Sequence, residues 1–415
     1  MAALDRFGAD LVSVRSGMEA VLDAAEEYPR CPLLQVYAAT LHLYAQDAAG
    51  QRSARALLDR AAALSGAMNP RERLSLAAAE AWWSGDFEAA AERLEALTAQ
   101  WPGDLVALKA CEFLYYVMGQ HWSGARFLAH VERVAEANAD SGPFFGIWGF
   151  AAELCGQRAR AFELANRALA LSPDDAWTHH TLAHAYLMEG RAAEGRGALQ
   201  PCLEGWGGAA PSIRGHNTWH LALFSVVLAD PEPAAVLYRD RLAVGESAGV
   251  GELIDAISLL WWLEHAGAPQ DEAWSRLLPP LLPHVRDLAF PFAAAHFAMA
   301  LSRAGEREAL AVLQADVREQ ASRHAGERRR AWEVGVPLVD ACAAFGTGNA
   351  PAGCEALSPV IEEVGRVGGS DAQDAVFRYA LVRGLAEAGR GREARAQAEA
   401  LCAGRPVLPF EERWL

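Results

Sequence analysis

The sequence predicts an all-α solenoid built from about ten stacked helical hairpins. Segments rich in alanine and leucine, with apolar residues at helical spacing, fill nearly all of the 415 residues. Strand-like alternation is almost absent, and signals that end a helix recur at steps of 34 to 43 residues. A chain of this length is too long for one compact core, so repeats that bury their faces on neighbours are expected.

We expect one continuous array of repeats with a short addition at each end. Residues 1–31 contain an N-terminal helix over Asp5–Glu27, residues 32–404 form stacked helix pairs, and residues 405–415 form a C-terminal tail. Glycine ends many of the first helices because it tolerates positive φ angles. The first helix of each pair is predicted to end near Asp47, Gly85, Gly119, Gly156, Gly190, Asp230, Gly267, Gly305, Gly346 and Gly389.

Three of these hairpins share one residue spacing, counted from Gly85, Gly156 and Gly389. Each has alanine at +5, alanine or leucine at +9 and +12, and proline at +17. The small alanine lets the second helix lie close to the first, and the proline ends the second helix. The spacing resembles the tetratricopeptide repeat, although leucine occupies +12 in two copies where that repeat usually has a small residue.

The charge balance disfavours two classes of partner. The net charge is −16, with 53 acidic and 37 basic residues. A negative surface repels phosphate backbones and anionic lipid headgroups, so we expect no nucleic-acid and no membrane partner. Arg328–Arg330 is the only short basic run and is interpreted as a solvated helix face. The apolar end of the tail, Pro409–Leu415, suits docking on a partner or a second copy, which makes a homodimer a further expectation.

The cysteine pattern points to a reducing compartment. Seven cysteines are scattered, and none pairs with another at CxxC or CxxxC spacing, which disfavours a disulfide framework or a thiolate zinc site. Met1–Leu11 lacks the regions of a signal peptide, and no uncharged apolar run approaches the ~18 residues of a membrane span. We therefore expect a cytoplasmic protein. The single lysine among many arginines is typical of GC-rich, bacterial coding.

Histidine, tryptophan and aspartate recur at helical spacing on four successive first helices. Five of the twelve histidines, including His179, fall within 42 residues. Since the first helices of a tetratricopeptide array line its concave surface, these side chains are expected to share one groove. The candidate ligand-binding residues are Trp177, His180, His184, His216, Trp219, His220, Asp255, Trp262 and His296.

Three interpretations of this cluster remain open. The histidines form hydrogen bonds between helices as part of the structure, or they bind a ligand in the groove, or they catalyse a reaction. For catalysis, His180/His184 and His216/His220 are i, i+4 pairs that each suit one divalent metal ion, completed by Asp255 or His296. Alternatively, Asp255 orients a histidine general base. The catalytic candidates are His184, His220 and Asp255, and no cofactor other than a divalent metal is indicated.

Two other features are interpreted as structural. Gly245–Gly249 matches the G-x-S-x-G nucleophile elbow, but that motif needs a preceding strand, so a loop is expected. Lys109, with Glu112 and Tyr116 on one helix face, is interpreted as a salt-bridged surface lysine.

Three segments resemble the tetratricopeptide repeat protein 38 family: Trp177–Gly190, His216–Asp230 and Glu252–Gly267. The similarity is densest over residues 100–310. The family's H-x-x-x-H and H-N-x-W-H elements match His180/His184 and His216–His220, and its aspartate matches Asp255. Where family members tend to read F-N-D-x-H-x-M, this chain has Phe290–Phe292 followed by His296. The resemblance implies the fold and the place of the site, and it implies no known reaction.

From these observations we expect a tetratricopeptide-type binding protein whose concave groove holds a peptide segment, a protein or a small molecule. The alternative is an enzyme that uses the histidine and aspartate side chains as a metal centre or as a general acid and base. The third interpretation is an interaction scaffold without a pocket. Choosing among them requires the positions of the side chains, because fold alone does not determine function.

Overall fold

The computed structural model describes residues 2–415 and is all-helical, with no β-strand among these residues. The chain divides into two compact units. The first unit contains the chain up to Val117, together with Ser123–Thr181 and Gly205–Arg214. The second unit contains Met118–Trp122, Leu182–Glu204 and Gly215–Leu415. No helix within residues 2–415 is both long enough and apolar enough to cross a membrane.

The first unit consists of helix pairs. The second helix of each pair packs on the first, as α3 with α4, α5 with α6 and α9 with α10 in the numbering that follows. The helices that lie wholly or mainly in this unit are α1 Ala2–Val12, α2 Ala20–Glu27, α3 Pro32–Leu43, α4 Ala48–Ala63, α5 Pro70–Trp83, α6 Phe87–Gln100, α7 Leu105–Met118, α8 Gln120–Arg133, α9 Gly142–Leu154 and α10 Arg158–Leu171.

The second unit contains most of α11 and α13 and all of the later helices. Its buried core is formed where α18 packs on α15 and α20, and where α15 packs on α22. The helices are α11 Ala176–Met188, α12 Ala192–Leu199, α13 Pro211–Val227, α14 Pro231–Leu237, α15 Val250–His265, α16 Asp271–Arg276, α17 Leu278–Leu281, α18 Pro291–Ala304, α19 Arg307–Arg323, α20 Gly326–Gly346, α21 Ala350–Leu357, α22 Asp371–Glu387 and α23 Gly391–Cys402. The expectation of one continuous solenoid stays a prediction.

The predicted residue spacing agrees with the packing of α6. The helix follows Gly85, which has a φ of +79°, and it ends before Pro102. The side chains at +5, +9 and +12 are Ala90, Leu94 and Leu97, and all three are buried. α6 packs on α5, and the small buried side chain of Ala90 is compatible with close packing of the pair.

The predicted helix ends agree with the observed helices, but Gly346 lacks the positive φ expected of a glycine that ends a helix. Seven of the eight glycines proposed to end first helices have positive φ. Gly346 is the last residue of α20, and the left-handed conformation is at Gly348, with a φ of +76°. Gly346 serves a different purpose, because a Cβ there would overlap the Ser302 hydroxyl on α18. It allows two helices to pack closely.

The N-terminal region also differs from the expected single helix over Asp5–Glu27. α1 and α2 are separated by a turn that includes a 3-10 segment over Ser16–Glu19. Val14 in this turn has a φ of +49°, a left-handed conformation that is rare for a β-branched residue. No proline marks the break, so apolar periodicity alone suggested one continuous helix.

The C-terminal tail, residues 405–415, folds back on the second unit. Leu408 and Phe410 are buried, and the backbone N–H of Phe410 donates to the carbonyl oxygen of Val227 at 3.1 Å. Of the apolar side chains that suggested docking on a partner, Phe410 is covered by the chain itself, whereas Pro409 is exposed and Trp414 and Leu415 are half-buried. A homodimer stays a prediction.

Candidate functional site

Four helices of the second unit carry the residues that converge. α13 presents His216 and His220 on one face, because residues four apart are neighbours on a helix. α15 is fixed at its start by Glu252, whose carboxylate accepts from the Gly249 N–H at 3.0 Å. α22 begins after Ser370, whose N–H donates to the side-chain oxygen of Gln373 at 3.2 Å. The fourth helix is α11.

Three histidines form the centre of the site, here called the histidine cluster: His184 on α11 with His216 and His220 on α13. The ring centroids of His184 and His220 are 4.7 Å apart, and those of His216 and His220 are 4.8 Å apart. One ring nitrogen from each histidine lies within 4.8 Å of the others. Three imidazole nitrogens therefore lie close to one another within the cluster.

Two carboxylates lie beside the outer histidines. His216 Nδ1 is hydrogen-bonded to Asp255 Oδ1 at 2.8 Å, and His184 Nδ1 lies 3.5 Å from Asp371 Oδ1. In a neutral ring, an Nδ1–H that donates to a carboxylate leaves Nε2 with its lone pair. This is the arrangement that surrounds metal-binding histidines, in which a carboxylate fixes the tautomer and the ring orientation.

Burial keeps the central histidine neutral. His184 and His220 are both almost fully buried. The pKa of His220 is held well below its ordinary value of 6.5, chiefly by burial and further by the neighbouring His184 and His216. A neutral imidazole is the form that binds a metal or accepts a proton. The side chains of His216 and Asp371 retain 17% and 23% exposure, so an ion or water can reach the cluster from their side.

Trp219 fixes the two rings of α13. Its indole stacks on His216 with the planes only 7° apart and the centroids 5.3 Å apart. It also meets His220 edge-on at 4.7 Å. Trp219 is fully buried. The indole therefore restricts the rotamers of the His216 and His220 rings.

Two predicted site residues, Trp177 and His180, belong to the first unit. Their ring centroids lie 4.6 Å apart, and the ammonium of Lys109 lies 3.2 Å from the centre of the Trp177 ring. Lys109 also pairs with Glu112 at 2.6 Å and is buried, so the interpretation as a surface lysine was wrong. Burial lowers the pKa of Lys109, although Glu112 opposes this shift.

Two other predicted residues have different partners. His296 is fully buried, and its Nδ1–H donates to the carbonyl oxygen of Phe292 at 2.9 Å, one turn earlier on α18. Burial lowers the pKa of His296 to about 4. Trp262 packs against Tyr379 and Phe410, with centroids 5.3 and 5.7 Å away. These contacts are with other parts of the second unit, outside the three histidines of the cluster.

Asp371 is not among the site residues that the sequence predicts. It is the first residue of α22, where acidic residues are common because they interact favourably with the helix dipole. An acidic residue at the start of a helix is therefore unremarkable in the sequence, and nothing there indicated that Asp371 lies near His184. The only available signal was the Ser370/Gln373 capping pattern, which locates the helix and not the site.

A second group of potential ligands, Glu95, Cys111 and His130, lies in the first unit. Here both ring nitrogens of His130 are already engaged, with the Thr98 hydroxyl at 2.7 Å and the Tyr115 hydroxyl at 3.1 Å. Burial lowers the pKa of His130 to about 4. This network holds helices together and leaves no imidazole lone pair for an ion.

The remaining sequence features are structural. Gly245–Gly249 is a loop that leads into α15, as expected. In the basic run, Arg329 pairs with Glu333 and Arg330 pairs with Glu327 on the surface of α20, which agrees with a solvated face. No protein family model matches the chain. The resemblance to the tetratricopeptide repeat protein 38 family therefore rests on the residues that match its motifs.

Proposed function

We propose that the protein binds one divalent transition-metal ion through His184, His216 and His220. The observation that carries this proposal is the convergence of three ring nitrogens within 4.8 Å. In tetrahedral zinc sites with Zn–N bonds of 2.0–2.1 Å, ligand nitrogens are about 3.4 Å apart. Ring rotations that move each nitrogen by on the order of 1 Å would close the difference. His216 would bind through Nε2, because its Nδ1 is hydrogen-bonded to Asp255.

The burial of the cluster favours an ion over a peptide. Peptide recognition needs an open surface, whereas His184, Trp219 and His220 are all buried. A single ion needs only the lone pairs of the imidazole rings and a narrow approach. Imidazole ligands suit zinc, iron, nickel and copper ions, and calcium and magnesium prefer oxygen.

The chemistry that such an ion supplies is the activation of water. With His184, His216 and His220 as ligands, a zinc ion would be able to bind water and would lower the pKa of that water to about 7. The protein's own part is to hold neutral imidazoles in position. Asp255 restrains His216 and Trp219 restrains both rings of α13, so the ligands are positioned before the ion arrives.

Zinc titration of the chelator-stripped protein tests the proposal. We expect one equivalent to bind, and His184→Ala and His220→Ala to weaken binding by at least about 100-fold, since each removes a ligand. Asp255→Asn should weaken it by about 10- to 100-fold, as is usual for a residue that supports a ligand. Affinity is measured by competition with a chromophoric chelator.

His296→Ala is the matched control, because it also removes a buried histidine of the second unit but no ligand. It should leave zinc affinity within a few-fold of the wild type. Circular dichroism checks that each variant is helical. The proposal fails if the wild type takes up no zinc, or if His184→Ala and His220→Ala bind zinc as tightly as His296→Ala does.

The second candidate function is metal-free general base catalysis by the Asp255–His216 pair. The specific observation is the 2.8 Å hydrogen bond combined with the partial exposure of the His216 ring. In this case His216 Nε2 would accept the proton of a substrate or a water molecule. This candidate would be favoured if the protein bound no zinc and if a base-catalysed activity of the wild type were lost in His216→Ala.

We further propose that the scaffold is a tetratricopeptide-type array related to the tetratricopeptide repeat protein 38 family. The supporting observations are the packed helix pairs and the buried residues after Gly85. The family's H-x-x-x-H and H-N-x-W-H elements also match His180/His184 and His216–His220, which include the three proposed ligands. We also still expect that the protein is bacterial and that it is located in the cytoplasm.

A further inference from the structure

The C-terminal segment Arg405–Leu415, here called the strap, contacts the ends of helices that carry the histidine cluster. Pro406 lies against Gly190, two residues beyond α11, so closely that a Cβ on Gly190 would come within 2.9 Å of the Pro406 carbonyl oxygen. The Phe410 N–H donates to the carbonyl oxygen of Val227, the last residue of α13, at 3.1 Å. These two helices supply all three histidines.

The strap also contacts the helices that carry the carboxylates. The Arg413 guanidinium donates to the carbonyl oxygen of His265, the last residue of α15, at 3.0 Å. The Phe410 ring packs on Trp262 of α15 and on Tyr379 of α22, with centroids 5.7 and 5.1 Å away. One short segment therefore touches α13, α15, α22 and the turn that follows α11.

Glu411 locks the strap in place. Its side chain is fully buried, and its carboxylate accepts from the Leu408 N–H at 2.7 Å and from the Arg405 guanidinium at 2.9 Å. The Tyr379 hydroxyl of α22 donates to the same carboxylate. Since a buried charge is tolerated only when it is well paired, this network fixes the strap to α22 in one arrangement.

The strap acts at a distance from the cluster. Its contact on α13 is seven residues beyond His220, and its contact on α15 is ten residues beyond Asp255. At 1.5 Å per residue these offsets are about 10 and 15 Å. In each helix the contact lies on the C-terminal side of the site residue, so the strap restrains the sliding of the helices along their axes.

We infer that the strap is a positioning element for the metal site, and that Glu411 and Gly190 are its positioning residues. This inference rests on the proposed metal-binding function. The ligand and carboxylate residues span positions 184 to 371 and come from four separate helices. Contacts within each helix therefore do not fix the positions of the four helices along their axes. A metal site requires its ligands to be held within about 0.5 Å, and a tie across the ends of these helices supplies that restraint.

Two variants of the strap contacts and one control variant test the inference by zinc titration and by melting of the metal-free protein. Glu411→Gln removes the negative charge at the centre of the hydrogen-bond network that holds the strap. Gly190→Ala leaves the strap sequence intact but displaces Pro406. Gly305→Ala is the matched control for Gly190→Ala. Gly305 ends α18 in the same unit and has a similar φ, +81° against +70° for Gly190. A Cβ added at Gly305 would meet no other atom within 4 Å.

We expect Glu411→Gln and Gly190→Ala to weaken zinc binding by at least about 10-fold, the scale seen when a residue that supports a ligand is lost. Gly305→Ala should keep wild-type affinity even where its melting temperature falls as much as that of Gly190→Ala. Equal zinc affinity in Gly190→Ala, Glu411→Gln and the wild type would overturn the strap inference and leave the metal site standing. A wild type that binds no zinc would overturn both.

Discussion

At the scale of single residues, the buried histidines make the stability of the protein depend on pH. Burial lowers the pKa of His296 from 6.5 to about 4, so the folded protein holds this ring neutral where the unfolded chain protonates it. The unfolded state therefore binds more protons between these two values. The contribution of His296 to stability is complete above pH 6.5 and declines as the pH falls towards 4.

His296→Leu should reduce this pH dependence. The wild type is expected to lose stability from this histidine at about 1.4 kcal/mol per pH unit below pH 6.5, or about 3 kcal/mol by pH 4. The variant should lose correspondingly less over that range, because leucine does not titrate. Urea unfolding of the metal-free protein at pH 7, 6, 5 and 4 measures the difference, and parallel pH profiles for the two proteins would contradict the expectation.

The residues also show what the sequence could not predict about the site. His184, His216 and His220 were identified because helical spacing and helix order are local properties of the chain. Asp371 was not, because its contact with His184 depends on how distant helices pack. Lys109 was misjudged for the same reason, since its burial depends on the Trp177 ring, which lies 68 positions further along the chain.

At the scale of the helix, two glycines close to each other in α20 and the following turn have different tasks. Gly346→Ala should destabilise the protein by about 1–3 kcal/mol, because the added methyl group meets Ser302 on the neighbouring helix and the packed core has little room to adjust. Urea unfolding measures the change. The size of the effect reports how rigidly α18 and α20 are packed.

Gly348→Ala provides the comparison, because Gly348 has positive φ and no neighbour within 4 Å of its would-be Cβ. It should cost only the backbone strain of a left-handed alanine, about 1 kcal/mol. A Gly346→Ala variant no less stable than Gly348→Ala would show that the two helices separate easily.

Helix ends were largely predictable, and helix-to-helix distances were not. Seven glycines with positive φ follow from the local rule that only glycine adopts this conformation freely. At Gly346 glycine is required for close packing against α18 and not for a positive φ. The sequence alone does not distinguish these two reasons for a glycine. The break between α1 and α2 carries no proline, so the periodic pattern could not reveal it.

At the scale of the whole molecule, the two units should respond differently to zinc. All three proposed ligands and both carboxylate partners belong to the second unit. A ligand that binds only the folded state stabilises it by about 2.7 kcal/mol at a concentration 100 times the Kd. That stabilisation should be confined to the helices that the ion joins, provided that the units open independently.

Hydrogen exchange with and without zinc should therefore show slower exchange with zinc in the second-unit parts of α11 and α13, which carry the ligands. Exchange should also slow in α15 and α22, because they carry Asp255 and Asp371, the carboxylates beside His216 and His184. Peptides from α3 and α4 in the first unit should exchange at unchanged rates. The His184→Ala variant is the control and should lose the zinc-dependent protection. Equal protection across both units would mean that they unfold as one cooperative body. Protection of the first unit alone would place the bound ion elsewhere and contradict the histidine cluster as its site.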